Sequence, residues 1–436
     1  MSVIALDGHA EEREIGDVNA DDRVVREILD WSGRDQSLKA PLMLMSKRAY
    51  DVLCRLQGSD ARRFEFVSAQ HQKAVARHFS KVLREIAEGR EPSGDDLSML
   101  ANTMAVDPIQ SAFLADADRV AVQESLRERI QLIRRLWRPF LVWWHAYFPN
   151  GTERGDPSVD LWQLYIPFGQ WILREKRRRR ASGLFVIGFN GSPGAGKTVL
   201  ANALAVVLNH LLDPETEGQA IARSGDDWYL SKRDREGLRA LGYDPGTPGL
   251  SNRAPPGTHD REWLERNLIE MELSDQDSVI RMGNFDKKID DQPDGADRYY
   301  EVRGKVGVFL FDLWFAGAEA VVDPTRLPVG LKRKVAENLR EWRTIFDRLD
   351  ALWMFEWPSL DRVLEEREAQ EHLVEQRHGR RGISREDLMA FIRYMISQCW
   401  DWETMPPFPP ERAITFRARR DAHHRVIGIE RGGRVS

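Results

Sequence analysis

The 436-residue chain predicts an α/β fold, a parallel sheet with helices on both faces, preceded by a helical N-terminal region. Three observations carry this. Between residues 21 and 180, apolar residues recur at three- and four-residue spacing, with no strand signal of comparable strength. Beyond residue 184, short β-rich runs alternate with amphipathic helical runs, the pattern of a parallel sheet covered on both sides. The first β-rich run ends in a glycine-rich turn that opens directly into a helix. One core stops growing near roughly 250–300 residues, so two domains are expected.

Residues 1–20 are acidic and poor in large apolar side chains, so a disordered tail is expected there. In 21–180 the helical runs are "FEFVSAQHQKAVARHFSKVLREIAEG", which ends in Gly89, then "DRVAVQESLRERIQLIRRLWRPFLVWWHAYF" and "VDLWQLYIPFGQWILREKRRRR". Tryptophans at helical spacing in 136–144 read as packing. The basic run 174–180 reads as a nucleic-acid or membrane patch or, preferably, as a solvated helix end, where cations suit the negative pole of the dipole. From 181 to 436 the strands expected are "LFVIGFNG", "QAIARSGDD", "VGVFLFD", "ALWMFEW" and, last, "RAITF". Helices are expected at "KTVLANALAVVLNHLL", "REWLERNLIEMEL", "LKRKVAENLREWRTIFDRL" and "SREDLMAFIRYMISQCW".

Composition narrows the function. The chain is 42% hydrophobic and 31% charged with net charge −5, which gives no global electrostatic reason to bind nucleic acid or an anionic membrane. Two cysteines, Cys54 and Cys399, make no disulfide framework, so a cytoplasmic, reducing location is expected. No leader is expected at the N-terminus. The longest apolar stretch, 306–322, carries Asp312 and Glu319 and reads as a strand running into a loop, not a membrane span. His423 and His424 lack further ligands at metal spacing and are expected at the surface.

"GSPGAGKT", Gly191–Thr198, fits the phosphate-loop pattern G-x-x-x-x-G-K-[ST] with a strand before it and a helix after. The fold expected is therefore of the P-loop NTPase type. Such a loop turns backbone N–H groups inward at phosphate oxygens, and the helix directs its positive end there. The nucleotide, ATP, would lie on Gly191, Ser192, Pro193, Gly194, Ala195, Gly196, Lys197, Thr198 and Val199, with Lys197 on the β- and γ-phosphates. The Thr198 hydroxyl and a strand-end acid, Asp312, would hold Mg²⁺.

"SGDDWYL", residues 224–230, supplies an acceptor side. A carboxylate ending the strand after the P-loop helix lies beside the γ-phosphate, where it accepts or orients a substrate hydroxyl proton. Packing two acids together raises the pKa of one, which would suit one of Asp226 and Asp227 to that role, with Tyr229 beside them on the acceptor side. The alternative is an Asx turn capping the next helix. "SKRD", 231–234, lies too early in the topology to read a guanine base.

These stretches, followed by "NRAPPGTHD", "GNFDKKIDD" and "FLFDLWFAGA", resemble the D-glycerate 3-kinase-like proteins. That family lies in the P-loop kinase group with phosphoribulokinase, uridine kinase and bacterial pantothenate kinase. The resemblance covers roughly residues 160–425 and implies ATP-dependent phosphorylation of a small hydroxy acid. It implies Asp226 as base, Asp260 as ligand of the acceptor hydroxyl, and Arg253, His259 and Lys287 as substrate-loop residues that neutralise a carboxylate. "EREAQE" echoes a lid pattern, so Arg367, Gln370 and Glu371 are implied in a lid over ATP spanning 361–383, which includes the basic "RHGRRG". The chain has Asp312 and Leu313 where the family has Glu-Gly, Ala254 for Gly, and Trp228 for Phe. The shorter Asp312 arm predicts contact with Mg²⁺ through water, and Leu313 predicts added bulk beside the acceptor. Other acceptors (a sugar, a nucleoside, a pantothenate-like compound) and a nucleotide-hydrolysing regulator or assembly chaperone are the alternatives. The partner expected is a small molecule, with no nucleic acid and no membrane.

Overall fold

The computed structural model describes residues 69–107, 109–113, 122–148, 156–180, 183–357, 359–378, 384–400, 405–407, 413–421 and 425–432. The expected tail 1–20, Cys54, His423 and His424, residues 379–383 of the expected lid, and the side chains of Gln370 and Glu371 lie outside the described residues. The chain divides into two compact units, one of residues up to 172 with 421–429, the other of 173–420 with 430–436.

The first unit is helical. Helix α1, Ala69–Ala87, buries Phe79, Val82, Leu83 and Ile86 at the spacing of one face, and Gly89 follows at φ 111°. Helix α2, Gly94–Val106, starts on a reciprocal cap: Asp96 N–H donates to Ser93 Oγ at 3.2 Å, and Ser93 N–H to Asp96 Oδ2 at 2.8 Å. Helix α3, Val122–Tyr147, buries Leu126, Ile130, Ile133, Phe140 and Trp144. Its tryptophans join an aromatic cluster in which Trp143 and Tyr147 lie 5.4 Å apart and Trp144 and Phe148 4.8 Å apart. Helix α4, Ile166–Arg179, lies in the third expected run and has its residues from 173 onward in the second unit.

The second unit holds the sheet. Strand β1, Phe185–Asn190, runs through the phosphate loop into α5, Lys197–Asn209. Then come β2, Gln219–Ser224, α6, Lys232–Leu238, α7, Arg261–Glu272, β3, Val279–Gly283, β4, Tyr299–Arg303, and β5, Val306–Asp312. Helix α8, Leu331–Phe346, β6, Ala351–Phe355, α9, Leu360–His378, α10, Arg385–Ile392, and β7, Ile414–Arg420, complete it, and the last strand, β8, Val426–Gly432, has residues in both units.

The sheet order is β2–β5–β1–β6–β7–β8, and the pairs β2/β5, β5/β1, β1/β6 and β6/β7 are all parallel. Strands β1, β5 and β6 are buried at every residue, as central strands covered on both faces must be. Three strands were not anticipated. An antiparallel pair, β3 with β4, stands apart from the main sheet, and β8 follows the strand expected to be last. β3 alternates between exposed and buried over its first three positions, β4 is exposed at four of its five, and β8 is buried at only two of its seven, so none shows the continuously buried run of a central strand.

The basic run resolves into ion pairs. Arg177 binds Glu217 at 2.7 Å, Arg178 and Arg179 bind Glu175 at 2.7 and 2.8 Å, and Arg180 meets Asp350 at 3.4 Å. Lys176 is fully buried. Among the described residues no helix is long and apolar enough to cross a membrane.

Candidate active site

Three strand ends lie level at the C-terminal edge of the sheet: Asp312 of β5 pairs in register with Phe189 of β1 and with Ser224 of β2. Strand β1 is central, with β5 on one side and β6 on the other, so the loop after it opens at a topological switch point.

The loop Gly191–Gly196 turns on Gly194 and Gly196, at φ 83° and 90°, conformations that glycine alone adopts without strain. Gly196 caps α5 with no side-chain hydrogen bond, which leaves the helix's first N–H groups to a ligand. Pro193 and Val199 are half-buried and Ala195 buried. The Ser192 hydroxyl is buried and has no hydrogen-bond partner among the described residues. Lys197 folds over the loop, donating to Gly191 O at 2.9 Å and Ser192 O at 3.0 Å, with Asp312 at 4.0 Å. Burial pushes the Lys197 ammonium down; Asp312 and Asp226 oppose this, and Arg420 and Lys287 add to it. Thr198 Oγ1 donates to Asp312 Oδ2 directly. Burial raises the Asp312 carboxyl, against Lys197 and Thr198.

The twin aspartates part company. After β2 the chain makes a single 3₁₀ turn, Gly225–Trp228, capped reciprocally by Ser224 and Asp227. Asp227 turns back, accepting from Ser224 N–H at 3.1 Å and pairing with Arg223 Nε at 3.1 Å. Asp226 turns to other partners, accepting from Tyr229 Oη at 2.7 Å and pairing with Lys287 Nζ at 2.6 Å. One of the two acids is raised, as expected of the pair, but it is Asp227 and not Asp226, the one implied as base. Burial works to raise Asp226, but Lys287's charge and the hydrogen bonds from Lys287 and Tyr229 outweigh it and hold the carboxyl well below the usual range. Burial pushes Asp227 up to about 6, against Arg223 and Lys287, with a smaller push from Asp226.

Of the remaining predicted residues, His259 lies near enough to Asp226 to feel its charge. His259 forms an antiparallel bridge with Tyr229, their rings 4.4 Å apart, and packs edge-on to Phe315 at 5.5 Å and Trp342 at 5.4 Å. Burial, against Asp226 and with help from Arg235, pushes His259 down to about 3, so the ring is neutral at physiological pH. Neither ring nitrogen has a hydrogen-bond partner among the described residues. Asp260 caps α7, accepting from Trp263 N–H at 2.9 Å. Arg253 is bound to Asp290 at 2.6 Å. Arg367 is half-buried on α9.

The departures from the family pattern have local explanations. Ala254 sits at φ 100°, a backbone that suits glycine, with its carbonyl accepting from Trp314 Nε1 at 2.9 Å. Trp228 is buried and donates to Asn267 Oδ1 at 2.9 Å. Leu313 is also buried, and its Cδ1 lies 2.5 Å from where a side chain on Gly225 would begin, so its bulk packs beneath the aspartate turn.

Sequence reasoning missed several contributors. Arg235, only 1% exposed, and Arg253 converge with Ser251 on Asp290, which joins three acceptor-side segments. Arg235 lies in a run that reads as a solvated helix. Arg223 holds both Asp227 and Gly283 O, the latter at 2.6 Å. Glu366 and Arg420 meet beside the phosphate loop.

No protein-family model matches the chain. It is 25% identical over 240 residues to "Uncharacterized kinase mug58" of Schizosaccharomyces pombe, covering 51% of this chain and 83% of that protein. Among solved structures it is similar to D-glycerate 3-kinase from Cryptococcus neoformans, at 22% identity and TM-score 0.47, over 61% of this chain and 98% of that one. It is likewise similar to the YGR205w protein, at 20% identity and TM-score 0.45, over 61% and 96%.

Proposed function

We propose that this protein is an ATP-dependent small-molecule kinase that transfers the γ-phosphoryl group to a hydroxyl of a small anionic acceptor, with D-glycerate or a similar hydroxy acid the first candidate. The observation that carries this reading is Asp226, held ionised by Lys287 and Tyr229 at the end of β2, the strand next to the one that presents Asp312 to Thr198. A hydrolytic switch has no need of this acceptor side. The name of the fission-yeast relative agrees with a kinase and says nothing of its acceptor.

The residues present fit a nucleotide triphosphate with Mg²⁺. The uncapped start of α5, the orphaned Ser192 hydroxyl and the curled Lys197 form an anion cradle. Thr198 and Asp312 would hold the metal. Among the described residues no group of three or more potential ligands forms a cage, and Mg²⁺ takes one or two protein oxygens with substrate phosphates and water. Mg²⁺ when bound neutralises charge on the transferring phosphoryl group.

Asp226, ionised and acceptor-only, orients the acceptor hydroxyl by taking its hydrogen bond, and receives the proton as the oxygen attacks. A carboxyl held this low is a weak base, which suits a loose transition state in which the oxygen keeps its proton until late. Lys287 and Arg253 supply positive charge for an acceptor carboxylate, and the neutral His259 ring offers one donor and one acceptor. The reading includes a cytoplasmic location and a small molecule, not nucleic acid or membrane, as partner.

The test is a metabolite panel of small hydroxy acids, sugars and nucleosides, scored for ADP and phosphorylated product, with Asp226→Asn as control. One or more hydroxy acids should be phosphorylated, and the variant should fall by about 10²–10⁴-fold. A wild type that phosphorylates nothing, and matches the variant in ATP turnover, would overturn the proposal.

A further inference from the structure

The antiparallel pair β3 and β4 is a sheet of its own, so side chains must fix its place beside the main one. Strand β2 supplies two of them. At its start, Gln219 Nε2 donates to the carbonyl of Arg303, the last residue of β4, at 2.6 Å. Near its end, Arg223 reaches the opposite end of the pair. Arg223 Nη2 donates to Gly283 O at 2.6 Å and lies 3.5 Å from Asn284 Oδ1, and the guanidinium lies 4.2 Å from the centre of the Tyr300 ring. Its Nε pairs with Asp227 Oδ2 at 3.1 Å, and the side chain is only 13% exposed. Arg223 therefore touches β3, β4 and the aspartate turn at once. A planar guanidinium can hold such partners together at fixed directions, which a single ammonium cannot.

Lys287 follows Gly283 by four residues. Four residues span up to about 14 Å, so a loose end of β3 would leave the lysine free to wander. Beyond Lys287 the chain is fastened again. Asp290 takes Arg253 at 2.6 Å and Arg235 Nη1 at 3.3 Å, Lys232 N–H donates to Asp291 Oδ1 at 2.8 Å, and Gln292 Nε2 donates to Tyr229 O at 3.0 Å. Lys287 thus rides on a strap held at both ends, and its ammonium meets Asp226 Oδ2 at 2.6 Å although more than half of the side chain is exposed. An exposed ion pair is weak because it must order two side chains. Fixing the backbone on either side removes part of that cost.

We propose that Arg223 is a positioning residue: by tying the end of β3 to the aspartate turn, it sets where Lys287 meets Asp226. Its bearing on phosphoryl transfer rests on the kinase reading given above, whereas the placement of Lys287 is measurable without turnover.

The first measurement is acetylation of Lys287 in the full chain by an N-hydroxysuccinimide ester, with the exposed neighbour Lys288 as internal reference, read by fragment-ion mass spectrometry. A lysine must leave its carboxylate and shed a proton before it attacks the ester, so the ion pair protects it. Asp226→Asn gives the Lys287-to-Lys288 ratio of the released lysine. Arg223→Met should raise the ratio several-fold toward that value, and Arg223→Lys should fall between. Gln219→Leu, which frees the opposite end of β4, should keep the wild-type ratio. The second measurement is kinetic. Arg223→Met should lower acceptor kcat/KM about 10-fold with the KM for ATP unchanged, and should cost nothing further in a Lys287→Met background, the non-additivity of a residue acting through another. Thermal midpoints are recorded for every variant.

A wild-type ratio in Arg223→Met overturns the inference whatever the activity. So does a ratio that Gln219→Leu raises equally, or one that Arg223→Lys does not relieve and that tracks a fallen thermal midpoint, since these mark general loosening. A kinetic loss of the same size with and without Lys287 overturns it as well. A raised ratio in Arg223→Met, with a wild type that phosphorylates nothing on the panel, upholds the tie and sinks the kinase reading alone.

Discussion

Asp227→Asn should stabilise the protein at neutral pH and lose most of that advantage in acid. Burial lifts the Asp227 carboxyl to about 6 in the folded chain, from an ordinary 3.8. Because the folded value is raised, folding favours the protonated form. Its contribution is therefore complete below about pH 4 and is lost as pH climbs through about 6. A gap of about 2 units makes ionised Asp227 a cost of about 3 kcal/mol near pH 7.5 and about 1 kcal/mol near pH 4.5. Asparagine places a neutral acceptor where the carboxylate was, still within reach of Ser224 N–H. Arg223, deprived of its ion pair, keeps Gly283 O at 2.6 Å and the Tyr300 ring at 4.2 Å. The stability difference between variant and wild type should thus grow by about 2 kcal/mol between those two pH values. For a unit of this size that is about 4–8 °C in thermal midpoint, measured by calorimetry at both pH values. A variant that is destabilised at neutral pH, or whose difference from wild type is the same at both, would refute the reasoning. It would show Asp227 to be a net-favourable ion pair and not a buried charge kept for its cap.

Three further outcomes follow from the same geometry. Lys287→Met removes the charge that holds Asp226 low, so the acid limb of the pH–rate profile for acceptor phosphorylation should move up by about 1 unit, the low end of the range because the ammonium is half-exposed; an unmoved limb would exclude Asp226 as the group titrating there. Gly283→Ala would set a Cβ 2.3 Å from the Asp227 carbonyl oxygen, a backbone atom that cannot swing aside. It should cost about 1–3 kcal/mol in denaturant unfolding and displace the aspartate turn, lowering kcat more than it raises the KM for ATP. Asp312→Asn keeps a partner for Thr198 and removes a negative charge, so half-maximal activity should need several-fold more Mg²⁺; an unchanged Mg²⁺ requirement would remove Asp312 from the metal site.

The sequence alone determined whatever its own neighbours could enforce. The phosphate loop was legible because strand, glycines, lysine and helix start are contiguous, and the loop's φ demands are written in its glycines. The central strands were legible because burial on both faces demands unbroken apolar runs. Tertiary structure decided what depends on distant partners. Asp226 and Asp227 are the same residue type, one position apart, and nothing local separates a site carboxylate from a cap. Lys287, far along the chain, folds onto the first, while Arg223 and the turn's own backbone take the second. The same holds for Arg420 and Glu366, joined only where β7 and α9 converge, and for Arg235, a charge on a polar-looking helix that folding buries. A charge's role depends on which other charges share its low-dielectric surroundings, and only the folded chain brings those together.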